Sequence, residues 1–423
     1  MTTPKKISIV GLGYVGLPLA LLTASKGFEV VGVDLDKDKI AAINERRDPI
    51  GDKYIADNIA STTLQAADNF DAIATSQITV ICVPTPVKNG YVPDLTPLKS
   101  AVELVAERMT KGALIIVEST INPGVCDEVV IPLLEHKSGL KINQDFYVSH
   151  CPERINPGDT KWFVENIPRV VGSSNDEGLK LTVAFYERVI DAQIKPMATI
   201  KEAEAVKIVE NSFRDVNLAF VNELAMSFTK LGIDVKNVID GAATKPFAFM
   251  PHYPSVGVGG HCIPVDPYYL IEYARGYDFE HEFLSLARAI NNHMPEFTVE
   301  RLIDGLSEAG LAIKGAKVAV LGLSYKANVA DDRESPSYKL ITILKEKGAK
   351  VATFDPYLSA KSSASSLEEV LMNQDAVVLA TSHREFQAID PKQLKVKVFV
   401  DGKNVCDASS FTQAGIIYRG IGR

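Results

Sequence analysis

Short apolar runs alternate with longer segments of helical periodicity in the N-terminal part of the chain, and the same alternation returns at its C-terminal end. The runs are rich in Val and Ile, which is typical of buried parallel strands that are covered by helices. The predicted strands are 7–10, 30–33, 78–83, 114–117 and 147–148 in the first region and 318–322, 351–354, 376–380 and 398–400 in the second. Each region is therefore predicted to form a parallel sheet of the α/β class.

The segment between the two regions has a different pattern. Residues 200–231 contain neither proline nor glycine and are predicted to form one helix of about 48 Å. The outer regions echo each other, since Ile-Ser-Ile-Val-Gly-Leu-Gly at 7–13 is matched by Val-Ala-Val-Leu-Gly-Leu-Ser at 318–324. We therefore expect two Rossmann-like, doubly wound parallel-sheet domains, joined by a helical middle domain with a long central helix. The predicted domains are 1–196, 197–300 and 301–423.

The composition is that of an ordinary globular protein. Of the 423 residues, 46% are hydrophobic and 23% are charged, which suits a soluble chain of two or three domains. The net charge of -8 is spread along the sequence and offers no basic patch to nucleic acid or an anionic membrane. No apolar run suits a signal peptide or a membrane span, so a cytoplasmic location is predicted. The five cysteines form no CxxC pair with zinc-ligand spacing, and no metal site is expected.

A dinucleotide fingerprint follows the first predicted strand. Gly11 permits a tight turn, Gly13 lets the backbone approach a pyrophosphate, and Gly16 allows close packing of the next helix. Asp34, at the end of the second strand, suits a ribose 2′-hydroxyl and would repel a 2′-phosphate, so NAD is favoured over NADP. The alternative is a glycine-rich turn beside a surface aspartate. The residues assigned to the cofactor in this region are Gly11, Gly13, Tyr14, Val15, Gly16, Asp34 and Lys39.

Two further segments end predicted strands, where ligands bind in open α/β sheets. Thr85 lies in a Pro-Thr-Pro segment after the third strand, and Thr120 lies in a Glu-Ser-Thr segment after the fourth. Both threonines are assigned to the cofactor side of the site. Threonine at a strand end is also a common helix cap, and that alternative stays open.

Four polar residues share one face of the predicted long helix. Lys207, Asn211, Arg214 and Asp215 stand at i, i+4, i+7 and i+8 among apolar neighbours. Polar groups in such surroundings are costly to bury without partners, which favours a functional site. A solvated helix face is the alternative.

A glycine-rich loop carries the fourth cysteine. Residues 254–267 read Pro-Ser-Val-Gly-Val-Gly-Gly-His-Cys-Ile-Pro-Val-Asp-Pro, so Cys262 follows three glycines and Asp266 stands four residues later. A thiolate activated by a nearby lysine would be a nucleophile. By itself the pattern leaves open a small buried thiol without a chemical role.

Five ordered motifs together resemble the UDP-glucose/GDP-mannose dehydrogenase family, the nucleotide-sugar 6-dehydrogenases. The motifs are Gly-Leu-Gly-Tyr-Val-Gly-Leu-Pro at 11–18, Cys-Pro-Glu-Arg at 151–154, Glu-Asn-Ser-Phe-Arg-Asp-Val-Asn at 210–217, Gly-Gly-His-Cys-Ile-Pro-Val-Asp-Pro at 259–267 and Asp-Asp-Arg-Glu-Ser-Pro at 331–336. The resemblance implies two-step oxidation of the C6 alcohol of a UDP-hexose to the acid, with two NAD used in turn. It also implies an NAD-binding first domain, a C-terminal domain that binds the UDP-sugar, and a homodimer built across the middle domain.

The resemblance implies a role for each matched residue. Cys262 would attack the intermediate aldehyde, forming first a thiohemiacetal and then a thioester. Lys207 and Asn211 would stabilise the oxyanion, and Lys207 would exchange the C6 proton. The other catalytic candidates are Asp266, to position the lysine and a water, Glu153, as the base for hydrolysis, and Thr120, to hold a water. The residues assigned to the substrate are Glu153, Arg154, Lys207, Asn211, Arg214, Gly259, Tyr325 and Lys326, and Arg333 is assigned to the cofactor.

Two segments bear on the sugar. His261, just before the cysteine, resembles the N-acetylhexosamine branch, and residues 244–251 resemble bacterial UDP-GlcNAc 6-dehydrogenases of surface-polysaccharide pathways. UDP-GlcNAc is therefore the expected substrate, since the arginine usual in that stretch of UDP-ManNAc enzymes is missing. UDP-ManNAc, UDP-GalNAc and UDP-glucose stay open. Two other hypotheses are a β-hydroxyacid dehydrogenase, which would need neither the thiol nor the C-terminal domain, and a non-catalytic UDP-sugar or NAD sensor.

Overall fold

The computed structural model of the protein describes residues 6–87, 92–155 and 161–423. The chain divides into two compact units, Met1–Glu210 with Tyr268–Tyr277 and Asn211–Pro267 with Asp278–Arg423. The two units are discontinuous along the chain, so they do not correspond to the three predicted domains. The predicted boundaries at 196 and 300 stay a prediction. Each unit is described by itself.

The first unit is built on a single eight-stranded sheet within its described residues. Its strands are β1 (Lys6–Val10), β2 (Glu29–Val33), β3 (Gln65–Ala67), β4 (Ile78–Ile81), β5 (Ala113–Val117), β6 (Phe146–His150), β7 (Arg169–Ser173) and β8 (Ile194–Pro196). They lie in the order β3-β2-β1-β4-β5-β6-β7-β8, and only the β6–β7 pair is antiparallel among these described strands. The order 3-2-1-4-5-6 is that of a dinucleotide-binding domain, in which ligands bind beyond the carboxyl ends of the central strands.

Both faces of this sheet are buried, as an apolar run without alternation predicts. Along β5, Leu114 and Ile116 pack into one core, while Ile115 and Val117 pack into the other. The helices of this unit that precede the long helix are α1 (Gly16–Ser25), α2 (Lys37–Asn44), α3 (Lys53–Asn58), α4 (Thr96–Ala106), α5 (Ile131–Ser138) and α6 (Asp176–Val189).

The second unit contains a five-stranded parallel sheet. Its strands are β9 (Lys317–Leu321), β10 (Lys350–Phe354), β11 (Ala376–Leu379), β12 (Val398–Asp401) and β13 (Ile417–Gly420), in the order β10-β9-β11-β12-β13. Val318 and Val320 face one core and Ala319 and Leu321 the other, so this sheet is also covered on both sides. The remaining α-helices among the described residues are α7 (Ile200–Leu231), α8 (Val235–Ala243), α9 (Asp266–Arg275), α10 (Glu282–Glu308), α11 (Pro336–Glu346), α12 (Leu367–Leu371), α13 (Arg384–Gln387) and α14 (Ala408–Gln413).

In the second unit, the C-terminal half of α7 packs against α10. Val221 and Ala225 of α7 share a core with Met294 and Phe297 of α10. The same surface carries a buried polar network, because Asp215 accepts hydrogen bonds from Arg288 and from the amide of Asn291 at 2.8 Å. Asp215 therefore pairs two helices and does not extend the polar face on which the sequence placed it.

The predicted fold class is confirmed, with two doubly wound sheets and one long helix between them in the chain. The helix was predicted at its observed bounds, and each predicted strand lies within one or two residues of an observed one. Of the strands that the described residues form, the sequence pattern missed β3, β7, β8 and β13. Across the described residues, none of the helices combines the length and the apolarity that a membrane span requires.

Candidate active site

The glycine turn of the first unit has the geometry that its sequence predicts. Gly11 has φ +92°, and a Cβ there would stand 2.7 Å from the carbonyl oxygen of Cys82, while a Cβ on Gly16 would stand 1.9 Å from the carbonyl oxygen of Gly11. Among the described residues, nothing lies within 4 Å of the Cβ position of Gly13. Two glycines are thus required by internal packing, and the third leaves open backbone where the phosphates of NAD fit.

Asp34 points its carboxylate at this turn. Its Oδ2 accepts the N–H of Leu12 at 2.8 Å and the ammonium of Lys39 at 2.9 Å, and its Oδ1 accepts the N–H of Asp36 at 3.0 Å. Burial raises the pKa of Asp34, but the Asp36 and Leu12 N–H groups and the Lys39 charge together hold it below its usual value. The carboxylate of Asp34 is therefore held ionised beside the glycine turn, where it can accept a hydrogen bond from a ribose hydroxyl.

The two threonines at strand ends lie together. The hydroxyl of Thr85, after β4, donates to the carbonyl oxygen of Thr120, after β5, at 2.6 Å. The neighbouring Ser119 hydroxyl donates to the carbonyl oxygen of Val83 at 2.7 Å, and Tyr269 donates to that of Thr85 at 2.6 Å. These contacts brace the sheet edge next to the glycine turn, so both threonines stay candidates for the cofactor side.

A buried charge cluster lies behind the Cys-Pro-Glu-Arg segment. It consists of Glu118, Glu153, Arg169 and Tyr186, and is called the Arg169 cluster below. Arg169 donates to Glu153 at 2.8 Å and to Glu118 at 3.4 Å, and the Tyr186 hydroxyl donates to Glu118. Burial raises the pKa of Glu118, while the guanidinium of Arg169 beside it opposes that rise.

Glu153, the candidate base, has both carboxylate oxygens engaged. Oε2 accepts from Arg169, and Oε1 accepts the N–H groups of Arg154, at 2.5 Å, and Ile155. Both lone pairs of Oε1 are thus in use, so a water would bond the remaining lone pair of Oε2 or displace one of the two N–H groups. The neighbouring Arg154 pairs with Glu210 and donates to the carbonyl oxygen of Pro168 at 2.8 Å.

Glu204 connects the start of α7 to the loop after Thr120. One turn before the half-buried Lys207, its carboxylate accepts the N–H of Gly124 at 2.5 Å and the N–H of Cys126 at 2.8 Å. Burial raises the pKa of Glu204 to about 7, and these N–H groups oppose the rise. Sequence reasoning missed Glu204, although an acidic residue between alanines on the helix was an available signal.

The cysteine loop of the second unit is closely packed. A Cβ on Gly259 would stand 2.7 Å from Cβ of Tyr325, and a Cβ on Gly260 would stand 2.8 Å from its ring. The N–H of Gly260 donates to the carbonyl oxygen of Arg333 at 3.0 Å. Cys262 is half-buried, and its carbonyl oxygen accepts the N–H of Asp266, the first residue of α9, at 2.8 Å.

The structure brings Asn211 and Asp266 together. The amide nitrogen of Asn211 donates to Oδ2 of the buried Asp266 at 2.5 Å. One N–H of that amide is thereby held, and within the described part of the chain the other has no acceptor, so it is open to a ligand. Arg214, further along α7, is exposed, and Arg333 forms a bidentate pair with Asp331 at 2.9 and 2.6 Å.

Comparison with known proteins identifies the family of this chain. Three models of the UDP-glucose/GDP-mannose dehydrogenase family match the chain, the NAD binding domain at residues 5–190, the central domain at 201–293 and the UDP binding domain at 319–408. The chain belongs to this family. It is therefore an NAD-dependent oxidoreductase that acts on a UDP-sugar.

Two relatives of this dehydrogenase are named for different sugars. A UDP-N-acetyl-D-mannosamine dehydrogenase of Pyrococcus horikoshii is 38% identical over 99% of each chain. A UDP-N-acetyl-D-glucosamine 6-dehydrogenase of Pseudomonas aeruginosa is 35% identical over 92% of this chain and 93% of its own. A solved structure of a UDP-D-ManNAc dehydrogenase from Pyrococcus horikoshii has a TM-score of 0.92, at 37% identity and 99% coverage of both chains.

Membership of the UDP-glucose/GDP-mannose dehydrogenase family confirms NAD as the cofactor and a UDP-sugar as the substrate class. The β-hydroxyacid dehydrogenase hypothesis is set aside, because the family match extends over the central and UDP binding domains. Sequence reasoning about this dehydrogenase missed Glu118, Arg169 and Tyr186. Arg169 stands in β7, a strand of only five residues that the apolar pattern did not reveal.

Proposed function

We propose that this dehydrogenase oxidises the C6 alcohol of a UDP-N-acetylhexosamine to the carboxylic acid, with Cys262 as the covalent nucleophile. The observation that carries the proposal is the bond from Asn211 to Asp266, four residues after Cys262 and in the same unit. A thiol, an amide donor and a carboxylate are the groups that an acyl-thioester route requires.

The first half of the proposed reaction produces the aldehyde. Lys207 removes the hydroxyl proton at C6 and one hydride leaves that carbon. NAD held at the glycine turn and Asp34 would supply the hydride acceptor, one molecule for each of the two oxidations. Asn211 donates its available amide N–H to the oxygen at C6, and the bond to Asp266 keeps that amide in one orientation.

The second half uses the thiol. The thiolate of Cys262 adds to the aldehyde carbon, the carbonyl oxygen gains a proton from Lys207, and a thiohemiacetal results. Its hydroxyl proton returns to Lys207, and the second hydride leaves C6 for the acceptor that the second NAD would supply, which gives a thioester. Water then adds to the thioester carbonyl and the thiolate of Cys262 leaves, so that the acid and the original thiolate remain. Glu153 orients this water through an oxygen released from its backbone bonds.

We propose UDP-GlcNAc as the preferred sugar, on the resemblance of residues 244–251. UDP-ManNAc is the second candidate, because the Pyrococcus horikoshii relative at 38% identity carries that name. The two sugars differ only in the configuration at C2, which a pocket that hydrogen-bonds the acetamido group distinguishes by at least about tenfold.

Parallel assays with UDP-GlcNAc, UDP-ManNAc, UDP-GalNAc and UDP-glucose test this assignment. We expect UDP-GlcNAc to have the highest kcat/KM, with two NADH formed for each sugar consumed. Higher kcat/KM for UDP-ManNAc would transfer the assignment to that sugar, and one NADH per sugar with a ketone product would rule out the mechanism. Binding of NAD and UDP-sugars without turnover of any of the four would favour the sensor.

We further propose a cytoplasmic homodimer that is built on the middle domain, residues 197–300. Phe213 and Phe220, on one face of α7, are each 52% exposed, and Phe247 and Met250 are 67% and 63% exposed. Large apolar side chains exposed in one region of a protein mark interaction surfaces. A second copy is the occupant that the family resemblance implies.

Light scattering tests the dimer. The wild-type protein is expected at about twice the chain mass of 46.0 kDa, and the double variant Phe213→Asp/Phe220→Asp at the chain mass. Met372→Lys, which changes another exposed apolar side chain, in the C-terminal sheet region, is the control and stays dimeric. A double variant that remains dimeric would contradict the proposed surface.

A further inference from the structure

The loop after β9 is the counterpart, in the second unit, of the glycine turn after β1. In the first unit Asp34 follows β2 and accepts the N–H of Leu12, and in the second unit Asp355 follows β10 and accepts the N–H of Leu323 at 2.7 Å. The two aspartates differ in exposure. The Asp355 side chain is fully buried and also accepts from the N–H of Ser324 at 2.8 Å and from its hydroxyl at 2.9 Å.

Asp355 is thus committed to shaping the loop and is not available to a ribose. Burial raises its pKa, but the bonds from His383, Ser324 and Leu323 hold it well below its usual value. Asp34, after β2, is assigned to a ligand, whereas its counterpart Asp355, after β10, holds the loop of its own sheet in place.

His383 is the second anchor of the same loop. Its ring is fully buried, with Nε2 3.0 Å from Oδ2 of Asp355 and Nδ1 2.9 Å from the backbone nitrogen of Asn328. A backbone N–H only donates, so Nδ1 is the acceptor and the ring proton is on Nε2. Tyr357 stacks on the ring at 4.9 Å between centroids, and Phe386 meets it edge-on at 5.4 Å.

The loop between these anchors carries Tyr325 and Lys326, both assigned to the UDP-sugar. Its first part is held by Asp355, and its far end by His383 through Asn328. Tyr325 occupies the space that side chains on Gly259 and Gly260 would need, with its Cβ at Gly259 and its ring at Gly260, directly before the cysteine loop turns to Cys262. A change at His383 is therefore transmitted to the loop that presents Tyr325 and Lys326.

We propose that His383 is a positioning residue for the UDP-sugar. By bridging Asp355 and Asn328 it holds the loop of residues 322–328 in the shape that places Tyr325 and Lys326 for binding. The proposal rests on the proposed function only in the assignment of Tyr325 and Lys326 to the substrate.

Two variants separate the two bonds of the ring. In His383→Asn, the side-chain oxygen takes the place of Nδ1 and accepts from Asn328, while the reach to Asp355 is lost. In His383→Gln, the amide nitrogen takes the place of Nε2 and donates to Asp355, while the N–H of Asn328 loses its side-chain acceptor and the far end of the loop is released. Gln387→Ala, an exposed position on the short helix α13 that follows His383, is the control.

The measurements are the Kd of UDP by calorimetry and the steady-state constants for UDP-sugar and NAD. His383→Gln is expected to raise the Kd of UDP and the KM of the UDP-sugar about tenfold, with a smaller rise in His383→Asn. The KM of NAD and the kcat at saturation stay within about twofold of wild type, as in the control.

Unchanged UDP affinity in both variants would overturn the proposal, whether or not the melting temperature falls, since a merely structural histidine would give that result. Equal changes in the KM of NAD and of the UDP-sugar would also overturn it. If the wild-type protein binds UDP but oxidises no UDP-sugar, the proposed function fails while the UDP affinities still decide the role of His383. If the wild type does not bind UDP, both proposals fail.

Discussion

Replacing Cys262 with alanine is expected to reduce acid formation by on the order of 10⁴-fold or more, while UDP-sugar binding is kept. Without the sulfur the aldehyde has no covalent route to a thioester, so the second oxidation stops. Cys262 is half-buried in a closely packed glycine loop. Residues 254–267 contain no second cysteine that could replace it. NADH formation and chromatographic detection of the acid measure the loss, and calorimetry measures UDP-sugar binding.

Cys406→Ala is the matched control, because Cys406 is another half-buried cysteine of the second unit. Burial raises the pKa of the Cys406 thiol, which makes it a poor nucleophile, and its removal is expected to leave turnover unchanged. Wild-type rates of acid formation in Cys262→Ala would show that the reaction does not pass through a thioester. Loss of both activity and UDP-sugar binding would instead indicate that the loop had collapsed, and Cys262→Ser, which differs by one atom, then separates the two effects.

Replacing Arg169 with methionine is expected to destabilise the protein by about 3–5 kcal/mol. The guanidinium is fully buried between Glu118 and Glu153, and without it two carboxylates stay in the interior with no counter-charge. Calorimetry should show a fall of roughly 10 °C in the melting temperature of the transition that contains the first unit. Arg47→Met, at an exposed arginine of the same unit, is the control, with an expected change below about 0.5 kcal/mol.

The loss in Arg169→Met should depend on pH. The pKa of Glu118 is already raised by burial, and removal of the cation raises it further. A carboxyl whose pKa is higher in the folded state than in the unfolded state favours folding at low pH, and this contribution is lost as pH rises through the folded-state pKa. The variant should therefore be closer to wild type at about pH 6 than at about pH 8.

The double variant Arg169→Met/Glu118→Gln should recover part of the stability at the higher pH, because one of the two uncompensated charges is gone. A deficit that is the same at both pH values, and that Glu118→Gln does not reduce, would show that lost packing rather than uncompensated charge is its cause. Either outcome distinguishes the electrostatic contribution of Arg169 from the contribution of its side-chain packing.

Local pattern was sufficient for the main elements of this protein. Runs such as 114–117 are apolar without alternation, short and rich in Ile and Val, which is typical of a strand with two buried faces, so the class of both sheets followed from them. The helix Ile200–Leu231 was predictable for a similar reason, since an unbroken run without proline or glycine has no internal stop. The glycine turn and Asp34 were found because their spacing is dictated by one strand, one turn and one helix.

Strands of three to five residues that lie towards the sheet edges carried too little pattern to be recognised. The segments Gln65–Ala67 and Ile194–Pro196 are each three residues long and partly exposed, so their identity depends on a neighbouring strand that supplies the hydrogen bonds. Missing Arg169–Ser173 also concealed Arg169 itself, whose partners stand 16 and 51 residues away in the chain.

The sequence by itself determined which chemistry-bearing residues exist and in what order, from the glycine turn and Asp34 to Lys207 and Cys262. Only the tertiary structure decided what those residues contact: that Glu153 is held by Arg169, that Asn211 donates to Asp266, and that His383 bridges Asp355 and Asn328. Periodicity and turn propensity act over a few residues and are visible along the chain. Buried polar side chains instead take whichever partner the packed fold brings within about 3 Å, and the requirement that each be satisfied applies only once the elements have come together.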